Sequence, residues 1–411
     1  MFTMKKTVLL FLMICPFYVL FSQTIKGTVV NDIDKPIANV NIYLDGTKTG
    51  TVSSADGSFS LNSTNNNSLV FQKDDYETFT VNTSDVLNKK LKVVLIKAKE
   101  IEEVVIIPFT EAAYKNYINF FLDSFIGYDK ENVRIKNQRS LKFAYDKSNK
   151  TLKVKAPQTL IIENKNLGYT IEYNLVEFSA NFDENTTRFV GTSFFKETKS
   201  SDKVKLNRMN AYDGSQVHFF RSVFANKVAD EGFIVNQITK FPNSKYPTEE
   251  ELQRLKDFAQ MFKSKGTLNV PEDILDIGNR KRSEQPYKIA ITKTQIPETD
   301  YTKKTDNKLY LDYDYMMQIN FKKYFYELKK GQFVKATIPI IQTSFLHPES
   351  DTFEIYTNGN TSNPGMLTNQ GEFTKNKIEF LLPLDLPIRR LIITKIFAQK
   401  KSEDKSSDSN M

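Results

Sequence analysis

The sequence predicts a mainly β protein, in which a small β-sandwich at the N-terminus is followed by a β-rich α+β region with about three helices. Two observations support this fold class. Between residues 24 and 96, apolar and polar residues alternate in short runs about ten residues apart, separated by turn-forming residues, as is typical of a sandwich. Further along, three segments instead repeat their apolar residues at helical spacing. With 411 residues, the chain is long enough to bury more than one core.

Residues 1–22 have the features of a secretory signal peptide. Lys5 and Lys6 supply a positive start, and the apolar run over 8–21 is shorter than the ~20 residues that span a bilayer. We expect cleavage after Ser22, so that the mature chain begins at Gln23 and is exported to the periplasm, the outer membrane or the cell surface. A retained N-terminal anchor is the alternative.

Composition limits the chemistry and the partners of the mature chain. The only cysteine is Cys15, and lipidation there is not expected because Ile14 stands where lipoprotein signals need a small residue. Without disulfides, the exported chain depends on burial for its stability. The formal net charge is +8, but basic and acidic residues alternate, and even the cluster Arg280-Lys281-Arg282 is followed by Glu284. We therefore expect no nucleic-acid partner.

The alternation in the first domain predicts six or seven strands joined by turns. Asp56 and Gly57 lie between two of them, and a positive φ at Gly57 would allow this pair to close a tight hairpin. Calcium binding by Asp56 is the alternative, but a single carboxylate in a turn is a weak metal site, so we assign both residues a structural role. The apolar runs are Ile25 and Val29; Val40, Ile42 and Leu44; Phe59 and Leu61; Leu69 and Phe71; Phe79 and Val81; and Leu91, Val93 and Leu95.

Residues 24–96 resemble the carboxypeptidase regulatory-like domain in the motifs Lys26-Gly27-Thr28-Val29, Pro36-Ile37-Ala38-Asn39-Val40 and Asp56-Gly57-Ser58-Phe59. The resemblance implies a transthyretin-like Greek-key sandwich of seven strands. It also implies an accessory module, because this domain carries no peptidase residues. Similar domains lie at the N-terminus of TonB-dependent receptors, where they are followed by a segment similar to residues 101–106.

The chain beyond residue 110 resembles the C-terminal part of exported Gram-negative proteins that carry this domain. The similar stretches include Leu167-Gly168-Tyr169-Thr170 and Ala211-Tyr212-Asp213-Gly214-Ser215. This second resemblance implies no chemistry. We expect a linker over residues 97–110, a β-rich domain over 111–398 and a disordered tail over 399–411.

The first two predicted helices are marked by their ends. One begins near Thr110 and is terminated by Gly127. The next begins with Ser215 as its cap and ends at Gly232, with Val217, Phe220, Phe224 and Val228 on its buried stripe.

The third predicted helix covers residues 249–263. Thr248 and Glu251 form a capping box at its start. Its predicted buried stripe contains Leu252, Leu255, Ala259 and Phe262.

The remaining patterns predict strands. Alternation over 139–195 changes parity at Val176, which predicts either a β-bulge there or a strand that crosses between the faces. Residues 309–321 alternate without a break and predict one long strand. The segment that follows predicts a hairpin that turns at Lys329-Lys330-Gly331.

One polar constellation suggests a site. Arg208, Tyr212, His218 and Arg221 lie among strongly apolar neighbours, so they could line a cleft; the alternative is a helix clamped to the sheet by arginine hydrogen bonds. The only other histidine is His347, and two histidines are too few for a zinc peptidase. Neither a nucleophile elbow nor a phosphate-binding glycine loop is present in the sequence. We predict no catalytic residues, no metal and no cofactor.

These features together predict a non-catalytic cell-envelope protein that binds a protein or glycan partner. Two alternatives remain open. One is a hydrolase whose active site lies in the C-terminal domain and is not recognisable from the sequence. The other is a component associated with the outer membrane or with a TonB-dependent receptor.

Overall fold

The computed structural model describes residues 23–63, 67–87, 89–98, 107–265, 269–306, 308–313, 316–349, 353–375 and 377–386. The predicted signal peptide 1–22, the segment 101–106 and the predicted tail 399–411 lie outside the described residues.

The N-terminal region is a β-sandwich. Its elements are β1 (Gln23–Val30), β2 (Asn41–Leu44), β3 (Gly50–Val52), β4 (Ser58–Ser63), β5 (Ser68–Gln72), β6 (Phe79–Asn82), α1 (Thr83–Val86) and β7 (Lys90–Val94). One sheet has the order β4-β1-β7 and the other β3-β2-β5-β6, so the seven expected strands are present. Most of the alternating apolar residues face inward, and Ile25, Ile42 and Phe71 are fully buried between the sheets, whereas Phe79 on β6 is 40% exposed.

The Asp56-Gly57 turn has the conformation that the sequence predicts. Gly57 has a φ of 75°. The Asp56 carboxylate accepts hydrogen bonds from the backbone N–H (3.0 Å) and the hydroxyl (2.6 Å) of Ser58. A Cβ at Gly57 would collide with the carbonyl oxygen of Val29, so this turn also needs glycine for space.

A six-stranded sheet covered by a helix follows. Its elements are α2 (Glu111–Phe125), β8 (Val133–Ile135), β9 (Lys142–Asp146), β10 (Thr151–Lys155), β11 (Leu160–Asn164), β12 (Tyr169–Asn181) and β13 (Thr186–Glu197). The long strand β12 pairs with β11 and β10 on one edge and with β13 on the other. Helix α2 is capped by Thr110, whose hydroxyl accepts from Ala113 N (3.1 Å), and it buries Phe121 and Phe125 against the sheet. The register shift at Val176 confirms the predicted bulge.

The last part of the chain contains a five-stranded sheet, two smaller sheets and four helices among the described residues. The elements are α3 (Asp202–Tyr212), α4 (Gln216–Phe224), β14 (Phe233–Pro242), α5 (Glu249–Lys265), α6 (Glu272–Ser283), β15 (Tyr287–Lys293), β16 (Thr302–Thr305), β17 (Lys308–Leu311), β18 (Met317–Lys323), β19 (Tyr326–Lys329), β20 (Gln332–Lys335), β21 (Ile340–Pro348), β22 (Phe353–Ile355) and β23 (Leu367–Gly371). The five-stranded sheet has the order β15-β14-β18-β21-β23, and the smaller sheets are β16-β17-β22 and β19-β20.

The helices differ from the prediction in two ways. The three predicted helices are present, but the short α1 and the helices α3 and α6 are additional among the described residues. Helix α4 ends at Phe224 rather than near Gly232, because Asn226 has a left-handed φ of 52° that breaks the helix. Within this helix Phe219 is fully buried, whereas Phe224, which was predicted on the buried stripe, is 36% exposed. None of the helices that the structure describes is long and apolar enough to cross a membrane.

The long strand predicted over 309–321 is two strands in two different sheets. β17 pairs with β16 and β22, whereas β18 lies at the centre of the five-stranded sheet. Asp312 N donates to Tyr301 O (3.0 Å), which extends the pairing of β16 and β17 by one residue before β18 begins at Met317. Leu311 and Met317 are an even number of residues apart, so the alternation continues across the break and conceals it.

The sandwich docks onto the edge strand β13 of the second region. The loop after β2 supplies a bridge between Thr47 and Phe194, and Phe195 N donates to Thr47 O (3.0 Å). In the same place Gly46 N donates to Ser193 O (2.8 Å). Further polar contacts between the two regions join Tyr43 to Thr192, Gln72 to Thr159 and Asn174 to Thr78. Asn358, in the last part of the chain, also contacts Asn67 of the sandwich.

Candidate functional site

Arg208, on α3, is a buried structural clamp. Its Nε donates to Leu167 O (2.7 Å), its Nη2 to Lys199 O (2.8 Å) and its Nη1 to Glu197 Oε1 (2.7 Å). The guanidinium carbon lies 4.0 Å from the centre of the Tyr169 ring, and the side chain is only 6% exposed. Although burial acts to raise it, the hydrogen bond from Arg208 holds the pKa of Glu197 below its usual value.

His218, on α4, is almost fully buried and hydrogen-bonded through both ring nitrogens. Its Nδ1 accepts from Gly214 N (3.1 Å), so the proton is assigned to Nε2, which lies 3.2 Å from Glu231 Oε2. The ring packs against Phe233 and Phe321, with ring centres 4.9 and 5.6 Å away. The histidine therefore joins the α3–α4 turn to the sheet.

Arg221, on α4, and Tyr212, on α3, complete the constellation. Arg221 donates from Nε to Asn358 O (2.8 Å) and from Nη2 to Leu384 O (2.6 Å), and its guanidinium carbon lies 5.3 Å from the centre of the Tyr212 ring. The four residues expected to line a cleft are instead packed in the interior or bonded to distant main-chain carbonyls. The structure thus has the arrangement of the alternative, in which arginines clamp helices to their neighbours.

The docked sandwich contains an acid that sequence reasoning missed. Asp45 Oδ1 accepts from Ser193 N (2.7 Å) across the junction. Burial raises the pKa of Asp45 to about 6, and hydrogen bonds from the Ser193 and Gly46 N–H groups oppose this only in part. No sequence signal distinguishes Asp45 from other turn acids, because its burial depends on a strand almost 150 residues away.

The most exposed apolar surface lies on residues 240–293, which we call the arm. It comprises the end of β14, the helices α5 and α6, and β15. The side chain of Asn243, just after β14, is linked to the segment just before β15, because it donates to Gln285 O (2.8 Å) and Glu284 Oε2 (3.0 Å). A third of the exposed large apolar side chains that the structure describes lie in the arm. They are Phe241, Met261, Phe262, Val270, Leu275, Tyr287, Ile289 and Ile291.

Helices α5 and α6 pack mainly against each other, so their outer faces stay uncovered. The predicted capping box is confirmed, with Thr248 N donating to Glu251 Oε2 (2.8 Å). Arg280 of α6 joins the two helices through Glu251 of α5 (2.5 Å) and is itself held by Asp276 of its own helix (2.8 Å), and its hydrogen bond lowers the pKa of Glu251. The predicted stripe is only partly buried: Leu252 and Leu255 are half-buried, while Ala259 and Phe262 are exposed and a groove of about 580 Å³ runs beside them.

A second exposed apolar patch covers β19, β20 and the start of β21, including Phe325, Ile338 and Ile341. It adjoins Leu386, which packs beside Tyr326 and is the last residue described in this part of the chain. This patch carries six exposed large apolar side chains, against eight on the arm. The arm lies elsewhere and is the stronger candidate.

The described residues hold no group of three or more histidine, cysteine, aspartate or glutamate side chains placed to bind a metal ion. Residues 25–106 match the family model of the CarboxypepD_reg-like domain, which covers about a fifth of the chain. A comparison with curated proteins finds no match. The N-terminal β-sandwich of this chain is therefore a carboxypeptidase regulatory-like domain, a module that is usually non-catalytic.

Proposed function

We propose that this chain is a non-catalytic cell-envelope protein that binds a partner protein through the arm. The observation that carries the proposal is the concentration of exposed aliphatic and aromatic side chains on the arm. Contiguous exposed apolar surface of this kind is typical of protein interaction sites. Tyr287, Ile289 and Ile291 are each about half exposed and lie next to one another on the same strand face.

The composition of the arm favours a protein over a glycan as the partner. Branched aliphatic side chains such as Ile289, Ile291, Leu275 and Val270 offer no polar groups to sugar hydroxyls, whereas they match an apolar protein surface. A non-catalytic binding role also agrees with the positions of Arg208, His218 and Arg221, whose polar groups are used in internal hydrogen bonds. The regulatory-like domain supports the same assignment, being a usually non-catalytic module.

The envelope location is supported by the signal-peptide pattern of residues 1–22. Cell fractionation and mass spectrometry of the N-terminus test it. We expect the protein in the envelope fraction, unlipidated and beginning at Gln23. Cytoplasmic protein with an intact N-terminus would contradict the location and leave the binding role to be tested by itself.

The binding role is tested by photo-crosslinking in the cells of origin. A photoreactive amino acid is placed at Ile289 in one variant and at Ile33 in a matched control, since Ile33 is similarly exposed (65%) but lies in a turn of the sandwich. We expect a discrete protein adduct from position 289 alone. Equal adducts from both positions, or an adduct with glycan only, would contradict the proposal.

A further inference from the structure

We propose that β15 binds its partner by strand addition: an extended segment of the partner, with acidic and apolar residues in alternation, pairs with the free edge of this strand. The inference rests on the proposed function and specifies how the arm binds. Three observations carry it, namely the open edge of the strand, the row of apolar side chains on one face, and the lysines around them.

The edge of β15 is open within the described part of the chain. β15 is the last strand of its sheet and pairs only with β14. All seven of its residues are exposed. An edge strand of this length directs alternate N–H and C=O groups outward, where they are available to a further strand.

One face of β15 carries a continuous apolar row. Tyr287, Ile289 and Ile291 alternate along the strand and are 54%, 58% and 48% exposed. Ile291 lies opposite Ile238 of β14, which is buried, so the row extends the inner face of the sheet beyond the core. An added strand would place its own apolar side chains beside this row and shield both.

The opposite edge of the same sheet is built differently. Its last strand, β23, buries Leu367 and then continues with threonine, asparagine, glutamine and glycine. Natural proteins blunt exposed edges in ways of this kind. The long apolar edge of β15 is thus a local feature of the arm and not a general property of the sheet.

The charges around the row select an acidic partner. Lys288 and Lys293 lie on β15, and Lys240 lies opposite Ile289 on β14. None of these three lysines has an ion-pair partner within the described ranges. A second copy of β15 would bring the same positive charges together, and like charges destabilise cross-strand pairing. In an added strand whose apolar residues lie beside the row, the alternating carboxylates fall on the opposite face, where they would complement Lys288.

The test uses the full chain and short synthetic peptides, with binding followed by fluorescence anisotropy. The probe is a peptide of about seven residues that alternates glutamate with valine, the length of a typical strand. Two further peptides carry N-methyl groups, one on every valine amide and one on every glutamate amide, which block opposite edges of the strand. We expect the unmodified peptide to bind and at least one methylated peptide to lose about tenfold or more in affinity.

Variants locate the site. Ile289→Thr combined with Ile291→Thr, and separately Lys288→Glu, should each weaken the acidic peptide about tenfold. The matched controls Ile33→Thr and Lys147→Glu change an exposed isoleucine and an exposed lysine elsewhere and should leave affinity unchanged. Hydrogen exchange should slow over residues 287–293 when the unmodified peptide is bound.

Specific outcomes overturn the inference. Equal affinity of the three peptides would exclude backbone pairing. Concentration-dependent dimers that the Ile289 variant abolishes would assign the edge to a second copy, and competition by anionic phosphatidylglycerol vesicles would assign it to lipid. If peptides fail to bind but crosslinking from position 289 still captures a protein, strand addition is wrong while the proposed function stands.

Discussion

Replacing Asp45 with asparagine should remove the loss of stability that the junction between the sandwich and β13 undergoes as the pH rises. The Asp45 carboxylate lies against the Ser193 N–H (2.7 Å) in a site that only docking creates. Asparagine has nearly the same shape and keeps a carbonyl oxygen to accept that hydrogen bond. The substitution therefore changes the charge while leaving the contact in place.

The sign and size of the effect follow from the pKa of Asp45. In the folded chain this pKa is about 6, above the ordinary value of 3.8, so the proton binds more tightly when the junction is formed. The resulting stabilisation is complete below the ordinary value and is lost as the pH rises through 6. Two pH units at about 1.4 kcal/mol each amount to roughly 3 kcal/mol.

The assay is urea unfolding of the full chain, followed by far-UV circular dichroism, at about pH 4 and about pH 7.5. Asp45→Asn should be more stable than the wild type at the higher pH, by up to about 3 kcal/mol, and should lose this advantage at the lower pH. Asp74→Asn, a change of an exposed aspartate in the same domain, is the control. Identical pH dependence in the wild type and Asp45→Asn would refute the reasoning.

Three further predictions concern stability and use the same urea assay. Arg208→Ala should cost about 2–4 kcal/mol, because it leaves the carbonyls of Leu167 and Lys199 without their donor, whereas the exposed Arg139→Ala should cost under about 1 kcal/mol; equal losses would contradict the clamp. Gly57→Ala should be more damaging than Gly331→Ala, since both have a positive φ but only Gly57 also lacks space for a Cβ; the reverse order would contradict the turn geometry. Thr248→Ala should cost about 1 kcal/mol through loss of the capping box, and no change would show that α5 does not depend on its cap.

Local signals in the sequence predicted local structure well. The Thr110 cap, the Thr248 capping box, the bulge at Val176 and the Asp56-Gly57 turn each depend on residues within a few positions of one another. Such features follow from backbone geometry and short-range hydrogen bonds, which can be predicted from the types of neighbouring residues.

Features set by distant contacts could not be predicted in this way. Helix α3 has no clean apolar stripe, because Arg208 is buried on it together with Leu206 and Met209, so its periodicity is hidden. Arg221 appeared to be free for a ligand only because its acceptors, Asn358 O and Leu384 O, lie more than 130 residues away. The exposed half of the α5 stripe has a different cause: among the described elements, the main packing partner of α5 is α6, so its outer face stays uncovered.

The segment formed by residues 377–386 determines when the molecule can finish folding. Glu379 N donates to Ile126 O, Leu384 N donates to Gly46 O, and Lys48 N donates to Asp385 Oδ2 across a separation of 337 residues. Contacts of such high sequence separation close large loops and form late. The sandwich can thus fold first from its own short-range pairings and can meet β13, whose contacts with Asp45 and Thr47 need no residue beyond 195. The contacts of residues 384 and 385 with the loop after β2 therefore close last, and this segment secures a junction that β13 has already begun.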